Sequence, residues 1–247
     1  DGERYIRVLM DVNEQDVVVV QNTFPDKKIV ELLLILQAVK EAGAKTVTCV
    51  IPYMGYSRQE RIFQSGEARS AKAIASVIGG MCDRVFTINV HTPEILKFFG
   101  CEANDINGSR EVVRYLKGFG PDMVIAPDEG SRDRCTLAAD LLKVPVHVMK
   151  KVRIDGRTVE TSSGQINVKG STAVILDDII STGGTIATAA NILREGGAER
   201  VFAACTHGLF IEDAANRLRV CDDILSSDTL EGVYTRFSVA PAIADAL

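Results

Sequence analysis

Short, nearly continuous apolar runs alternate along this chain with longer stretches whose apolar residues return every three or four positions. The first pattern predicts strands buried on both faces, and the second predicts amphipathic helices. Strands are expected over residues 5–9, 16–20, 46–51, 84–89, 123–126, 146–149, 172–176, 201–204 and 223–225. Helices are expected over 28–42, 71–78, 110–117, 133–142, 185–194 and 211–217. Such alternation is the mark of parallel sheets flanked by helices, with ligands beyond the carboxyl ends of the strands. The polar, alternating stretch 158–168, with Gly156 and Gly164 as turn residues, predicts a small antiparallel flap. A boundary near Asn107-Gly108 divides the chain into two α/β halves. Strand–loop–helix units recur in both, over 47–61 and 174–185.

The most informative chemistry lies at 173–185. There an apolar strand ends in two adjacent carboxylates, Asp177 and Asp178. Ser181, Thr182, Gly183, Gly184 and Thr185 follow, and then a helical pattern. Backbone N–H groups of such a loop can converge on a phosphate, and the helix start adds partial positive charge. The glycines allow close approach, the hydroxyls donate hydrogen bonds, and the carboxylates suit sugar hydroxyls or a divalent cation. The segment reads as a site for ribose bearing a 5-phosphate. It lacks the Gly-Lys-Ser/Thr ending of a Walker loop and the G-x-G-x-x-G spacing of a dinucleotide site. An ordinary strand–turn–helix with solvated acids explains fewer of its features.

Other strand ends carry further candidates. After 46–51 comes a loop rich in aromatics, Gly and Arg, with Tyr53, Tyr56, Arg58, Gln59 and Arg61. Tyrosines can flank a base, Arg58 can stack or pair with phosphate, and Gln59 can read a base edge. The alternative is a basic surface loop whose tyrosines belong to the core. His91 ends another strand, whereas His147 and His207 fit structural roles better. Asp128, Glu129, Gly130 and Ser131 form a second acidic Gly/Ser turn that opens a helix. This turn suits a second phosphate or a cation, or simply a capped helix. A basic loop, Lys150 to Gly156, would neutralise negative charge beside a polyphosphate.

Of the 247 residues, 46% are hydrophobic and 25% charged, the balance of a globular protein with room for one large or two smaller domains. A net charge of -5 argues against general nucleic-acid binding and against an anionic membrane surface. The six scattered cysteines form no C-x-x-C pair, and with no signal peptide or membrane span they read as reduced thiols of a cytoplasmic protein.

Nearly end to end, the chain resembles the ribose-phosphate diphosphokinases, also called phosphoribosyl pyrophosphate synthetases. The segment from Pro52 to Arg61 is similar to their ATP loop, and Arg58 and Gln59 match its nucleotide-holding pair. His91 and Asp128 match the Mg²⁺ ligands, and Asp128, Glu129, Gly130 and Ser131 the diphosphate loop. Lys151 and Arg153 match the catalytic flexible loop. Asp177, Asp178 and 181–185 match the ribose-5-phosphate loop. Asp1 and Glu3 resemble a hairpin that reaches adenine bound to a neighbouring subunit. The Ser-Thr-Gly-Gly-Thr form is similar to archaeal members. Asn89 stands where the family usually has Asp, and Ser181 where many members have Asp. The family usually begins some tens of residues ahead of Asp1-Gly2-Glu3, and more chain is expected there.

The resemblance implies two phosphoribosyltransferase-like α/β domains, each a mostly parallel sheet flanked by helices. The first would span 1–108 and the second 109–234, with the segment 235–247 packing on the first. It implies diphosphoryl transfer from ATP to ribose 5-phosphate, with Mg²⁺ as cofactor, in a homo-oligomer whose ATP site is shared between subunits. No nucleic acid or membrane is expected as partner. A phosphoribosyltransferase and a silent regulatory paralogue are the alternatives. The Arg-Gln loop and two-half length oppose the first, and intact Lys151, Arg153, His91 and Asp128 oppose the second.

Overall fold

The computed structural model describes the backbone of residues 1–153, 159–162 and 167–247, and the side chains of 1–149 and 167–247. The chain forms two units, residues 1–107 and 108–247.

In the first unit, β1 (Asp16–Val20), β2 (Thr46–Ile51), β3 (Arg84–Ile88) and β4 (Glu102–Ile106) form a parallel sheet in that spatial order. Two helices, α1 (Lys27–Glu41) and α2 (Ser70–Gly79), connect its strands. Leu32, Leu36 and Val39 of α1 lie at helical spacing and bury into one core with Ala71, Ala75 and Ile78 of α2 and Cys49, Ile51 and Val85 of the strands. Full burial of one such Leu is worth roughly 1.5–3 kcal/mol.

The expected strand at 5–9 is not formed. Residues 1–9 carry no regular structure, and Tyr5 and Leu9 are exposed. Their apolar alternation finds no ladder to join, and an unpaired extended segment is not a strand. Conversely, β4 was not expected, because its sequence Glu-Ala-Asn-Asp-Ile is largely polar. It forms as an edge strand held by the register of β3, and Ile106 is its buried residue.

The second unit contains α3 (Ser109–Leu116), β5 (Met123–Ala126), α4 (Arg132–Leu142), β6 (Val146–Val148), β7 (Lys150–Arg153), β8 (Val159–Ser162), β9 (Thr172–Ile180), α5 (Gly184–Glu195), β10 (Arg200–Gly208), α6 (Ala214–Arg217), β11 (Asp223–Ser227), β12 (Thr235–Phe237) and α7 (Ala240–Ala246). Six strands form a parallel sheet in the order β12-β11-β10-β9-β5-β6. Its inner strands are apolar at nearly every position because both faces are covered. Ile125, Ala173, Ile175, Val201 and Ala203 face a core completed by Ile186, Ala189, Ala190 and Leu193 of α5. Their neighbours Val124, Val174, Leu176, Phe202 and Ala204 face the opposite core, with Val112, Val113 and Leu116 of α3 and Cys135 and Ala138 of α4.

Strand β8 lies in the expected flap and pairs antiparallel, but its partner is β7. Residues 150–153 thus form a strand where the basic loop was expected, because β8 supplies them with a ladder. Gly156 and Gly164 lie outside the described residues. The segment 235–247 corrects its expectation. β12 is the edge strand of the second sheet, and α7 packs on α3, so this segment builds the second unit. All six cysteines are free thiols. No described helix is long and apolar enough to cross a membrane.

Candidate functional site

The second sheet has a topological switch point. From β5 the chain moves outward to β6, then returns to lay β9 on the other side of β5 and continues away through β10 and β11. The loops leaving β5 and β9 therefore diverge, and a crevice opens beyond their carboxyl ends. Both acidic motifs lie there.

Asp128 caps the turn that leads into α4. Its Oδ1 accepts from the Ser131 amide and lies 3.2 Å from the Ser131 hydroxyl. That hydroxyl has one proton, and its shorter contact is 2.7 Å, to Asp177 Oδ1 on β9. Glu129 and Gly130 are exposed at the tip of the turn. One helical turn after Ser131, Arg134 places Nη1 3.0 Å from Asp177 Oδ1 and 3.0 Å from Asp178 Oδ1. Both acids lie within the strand rather than beyond it, because β10 runs alongside and extends the ladder to Ile180. Burial, with the adjacent Asp178 carboxylate second, pushes Asp177 up to about 7, against the opposing pull of Ser131 and Arg134. A ligand offering hydroxyl donors or positive charge would draw it back down.

Beyond β9, Ser181 and Thr182 are half-buried, Gly183 is buried and Thr185 is exposed. Gly183 is the N-cap of α5, with φ +75°. A Cβ there would also lie 3.0 Å from Leu218 Cγ, so the position needs glycine twice over. The first N–H groups of α5 have no acceptor within the helix, an arrangement that suits an anionic ligand.

In the first unit, the loop after β2 separates the two tyrosines. Tyr53 is buried, edge-on to Phe24, and belongs to the core. Tyr56 is exposed, with its hydroxyl donating to Asp26 across 2.9 Å. Gly55 passes so close to Thr23 that a Cβ would sit 2.8 Å from its carbonyl oxygen. Arg58 is exposed. Gln59 is half-buried, accepts from the Ser70 hydroxyl at 2.9 Å, and takes the Ala71 amide on its own carbonyl at 3.3 Å. The start of α2 thus holds Gln59. His91 is half-buried after β3, beyond Asn89 at φ +43°. Asp105 of β4 accepts from Thr87 Oγ1 at 2.6 Å and from the Val90 amide at 2.9 Å, which fixes the bend leading to His91. Asp1 and Glu3 are exposed, and the Glu3 amide donates to Asp1 Oδ1 at 2.9 Å.

The structure thus joins Asp128, Ser131, Asp177 and Asp178 in one network, next to the 181–185 loop. The side chains of Lys151 and Arg153 lie outside the described residues. Among the described residues, no three His, Cys, Asp or Glu side chains are placed to hold a metal by themselves. Sequence reasoning missed Arg134 and Asp105. The signal for Arg134 was its three-residue offset from Ser131, which places both on one face of a helix. Nothing local marks Asp105, whose role depends on the pairing of β3 with β4.

The N-terminal domain of ribose phosphate pyrophosphokinase matches residues 1–81, and the phosphoribosyl transferase domain matches 107–239. The ribose-phosphate pyrophosphokinase of Methanopyrus kandleri is 38% identical over 254 residues, covering 100% of this chain and 87% of that one. That of Methanothermobacter thermautotrophicus is 39% identical over 252 residues, covering 100% and 88%. A crystal structure of phosphoribosylpyrophosphate synthetase from Mycobacterium smegmatis superposes with a TM-score of 0.84 at 29% identity, covering 99% of this chain and 85% of that one. With identity of this order over its whole length, and with both domains of the family in place, the chain belongs to the ribose-phosphate pyrophosphokinase family of enzymes.

Proposed function

We propose that the chain transfers the diphosphoryl group of ATP to the C1 hydroxyl of ribose 5-phosphate, giving phosphoribosyl pyrophosphate and AMP. The observation that carries this reading is the network at the switch point. A diphosphate-type turn and a ribose-phosphate-type loop are tied through Ser131 and Asp177, so a sugar held by one loop would present its C1 to groups held by the other. The C1 oxygen would attack the β-phosphorus in line and lose its proton to solvent water, while the bond from that phosphorus to the oxygen bridging it to the α-phosphorus breaks and AMP departs. Little covalent work falls to the protein in such a transfer, so positioning and charge stabilisation dominate. Asp177 and Asp178 would orient the ribose hydroxyls, and 181–185 would hold the 5-phosphate. Lys151 and Arg153 would stabilise the charge spread over the moving group. Arg58 and Gln59 would hold the nucleotide, with Asp1 and Glu3 of a neighbouring subunit reaching its adenine.

Mg²⁺ is the cofactor in this reading. Carboxylate oxygens are hard donors that suit it, and magnesium keeps several waters and takes substrate phosphates as ligands. Asp128 and His91 are the residues we assign to hold it. When bound, it would neutralise phosphate charge. We place the protein in the cytoplasm, in nucleotide biosynthesis, as a homo-oligomer.

The decisive experiment is a coupled assay of AMP release from ATP, ribose 5-phosphate and Mg²⁺. Release dependent on both substrates supports the reading. Consumption of phosphoribosyl pyrophosphate with a base would make the chain a phosphoribosyltransferase. No turnover alone, with stimulation of an active relative on mixing, would make it a regulatory paralogue.

A further inference from the structure

The 181–185 loop is held from behind by one continuous stretch, residues 209–218, which neither composition nor motif had marked. The contacts run in step along both segments. The Leu209 and Phe210 amides donate to the Ile180 carbonyl at 2.9 and 3.2 Å. The Ile211 amide donates to the Ser181 carbonyl at 3.1 Å. Arg217 Nη1 donates to the Thr182 carbonyl at 3.0 Å. Leu218, fully buried, fills the space against Gly183, where a Cβ would meet its Cγ at 3.0 Å and its Cδ1 at 3.2 Å. Four successive residues, 180 to 183, are each engaged from this side.

The orientation has a chemical consequence. In a planar trans peptide, the carbonyl of one residue and the N–H of the next point in opposite directions. Carbonyls 180, 181 and 182 all turn toward 209–218, so amides 181, 182 and 183 turn away from it. Of the three carbonyls, that of Thr182 is held by a side chain, while the other two are held by main-chain amides. Arg217 is therefore the one of these hydrogen bonds that a point substitution can delete without altering the backbone. It also brings a guanidinium, 41% exposed, against a loop read as binding a dianion.

We infer that residues 209–218 are a clasp for the phosphate loop, and that Arg217 is a positioning residue that aims the loop's amides at the 5-phosphate of the substrate. This rests on the reading of 181–185 as the ribose-5-phosphate loop. Arg217 acts through the Thr182 carbonyl, and its guanidinium is also paired with Glu212 at 3.7 Å.

The test uses the full chain with ribose 5-phosphate and ATP as separate titrants in calorimetry, beside thermal unfolding. Arg217→Met is expected to weaken ribose 5-phosphate binding about three- to ten-fold, because the substrate must then order a loop that Arg217 no longer holds. Its ATP affinity should stay within about two-fold, and its melting temperature should hardly move, since exposed side chains contribute little. Arg217→Lys, which keeps the charge and a donor, should recover part of the loss. Thr185→Ala is measured in parallel because it tests the loop itself. If Thr185→Ala weakens ribose 5-phosphate binding and Arg217→Met does not, the clasp is refuted while the loop reading stands. If neither variant changes it, the loop reading falls and the inference with it. Equal weakening of both ligands by Arg217→Met, or unfolding of both Arg217 variants, would assign Arg217 to general stability and overturn the positioning role.

Discussion

The Ser131 hydroxyl lies 2.7 Å from Asp177 Oδ1, joining two loops 46 residues apart in sequence. With Arg134 it ties the segment after β5 to the end of β9 through side chains. Its electrostatics make the ligand-free protein sensitive to pH. Asp177 is raised from 3.8 to about 7 in the fold, so the folded chain holds a proton there that the unfolded chain releases. That contribution is fully present below about pH 4 and is lost as pH rises through 7. Urea midpoints measured without ligand at pH 5 and pH 8 should therefore fall more for the parent chain than for Asp177→Asn. Equal falls would show that Asp177 titrates near its ordinary value.

Arg134 offers a second test of the same network. Its guanidinium lies between two acids whose side chains are only 15% and 5% exposed. Removing one partner of a buried ion pair strands the other, at a cost of about 3–5 kcal/mol. Arg134→Met should destabilise the ligand-free protein by that order at pH 8. The loss should be smaller at pH 5, where Asp177 carries its own proton. A loss that does not vary with pH would mean that the methionine disturbs packing rather than charge.

Much of this architecture was legible from the chain because parallel strands buried on both faces are apolar at nearly every position, as β5 and the central parts of β9 and β10 are. The DDIISTGGT segment was legible because glycine, hydroxyls and paired acids next to a helix start have few other uses. What escaped depends on partners distant in sequence. The polar β4 is a strand because β3 sets its register, whereas 5–9 is not one because nothing pairs with it. Asp177 and Asp178 were expected past the end of a strand, and β10 carries the ladder beyond them. Tyr53 and Tyr56 look alike in sequence, yet one fills the core and the other faces solvent. The signal for Arg217 was absent altogether, since its acceptor is a backbone carbonyl 35 residues away.

The basic segment gives a kinetic prediction. If Lys151 and Arg153 act on charge that develops only as the diphosphoryl group moves, Lys151→Ala and Arg153→Ala should lower kcat strongly while KM for both substrates changes little. Steady-state rates with ATP and ribose 5-phosphate varied in turn separate the terms. A large rise in KM at near-normal kcat would make them ground-state binding residues instead.

The assignment of His91 predicts a change in metal requirement. Asp105 fixes the bend before His91 without touching the metal in this reading, so His91→Ala should fold normally. It should need more Mg²⁺ to reach half-maximal rate. An unchanged Mg²⁺ titration would remove His91 from the site.

The last prediction concerns Glu3. In this chain it is exposed, in a turn closed by its own amide on Asp1, and no strand holds the segment. An exposed carboxylate on such a turn has little reason to matter for folding. It has good reason to matter if it reaches adenine in a neighbouring subunit, where it can accept from the amino group and so disfavour guanine. A site built that way needs two chains, and closed symmetry makes a dimer the smallest active unit. Glu3→Ala and Lys151→Ala should each abolish most activity while leaving the melting temperature unchanged. After subunit exchange between the two variants, some sites would take Glu3 from one chain and Lys151 from the other, and part of the activity should return. Exchange can be verified by mass spectrometry of differently tagged chains. If mixed oligomers form and stay as inactive as their parents, Glu3 and Lys151 do not serve one shared site.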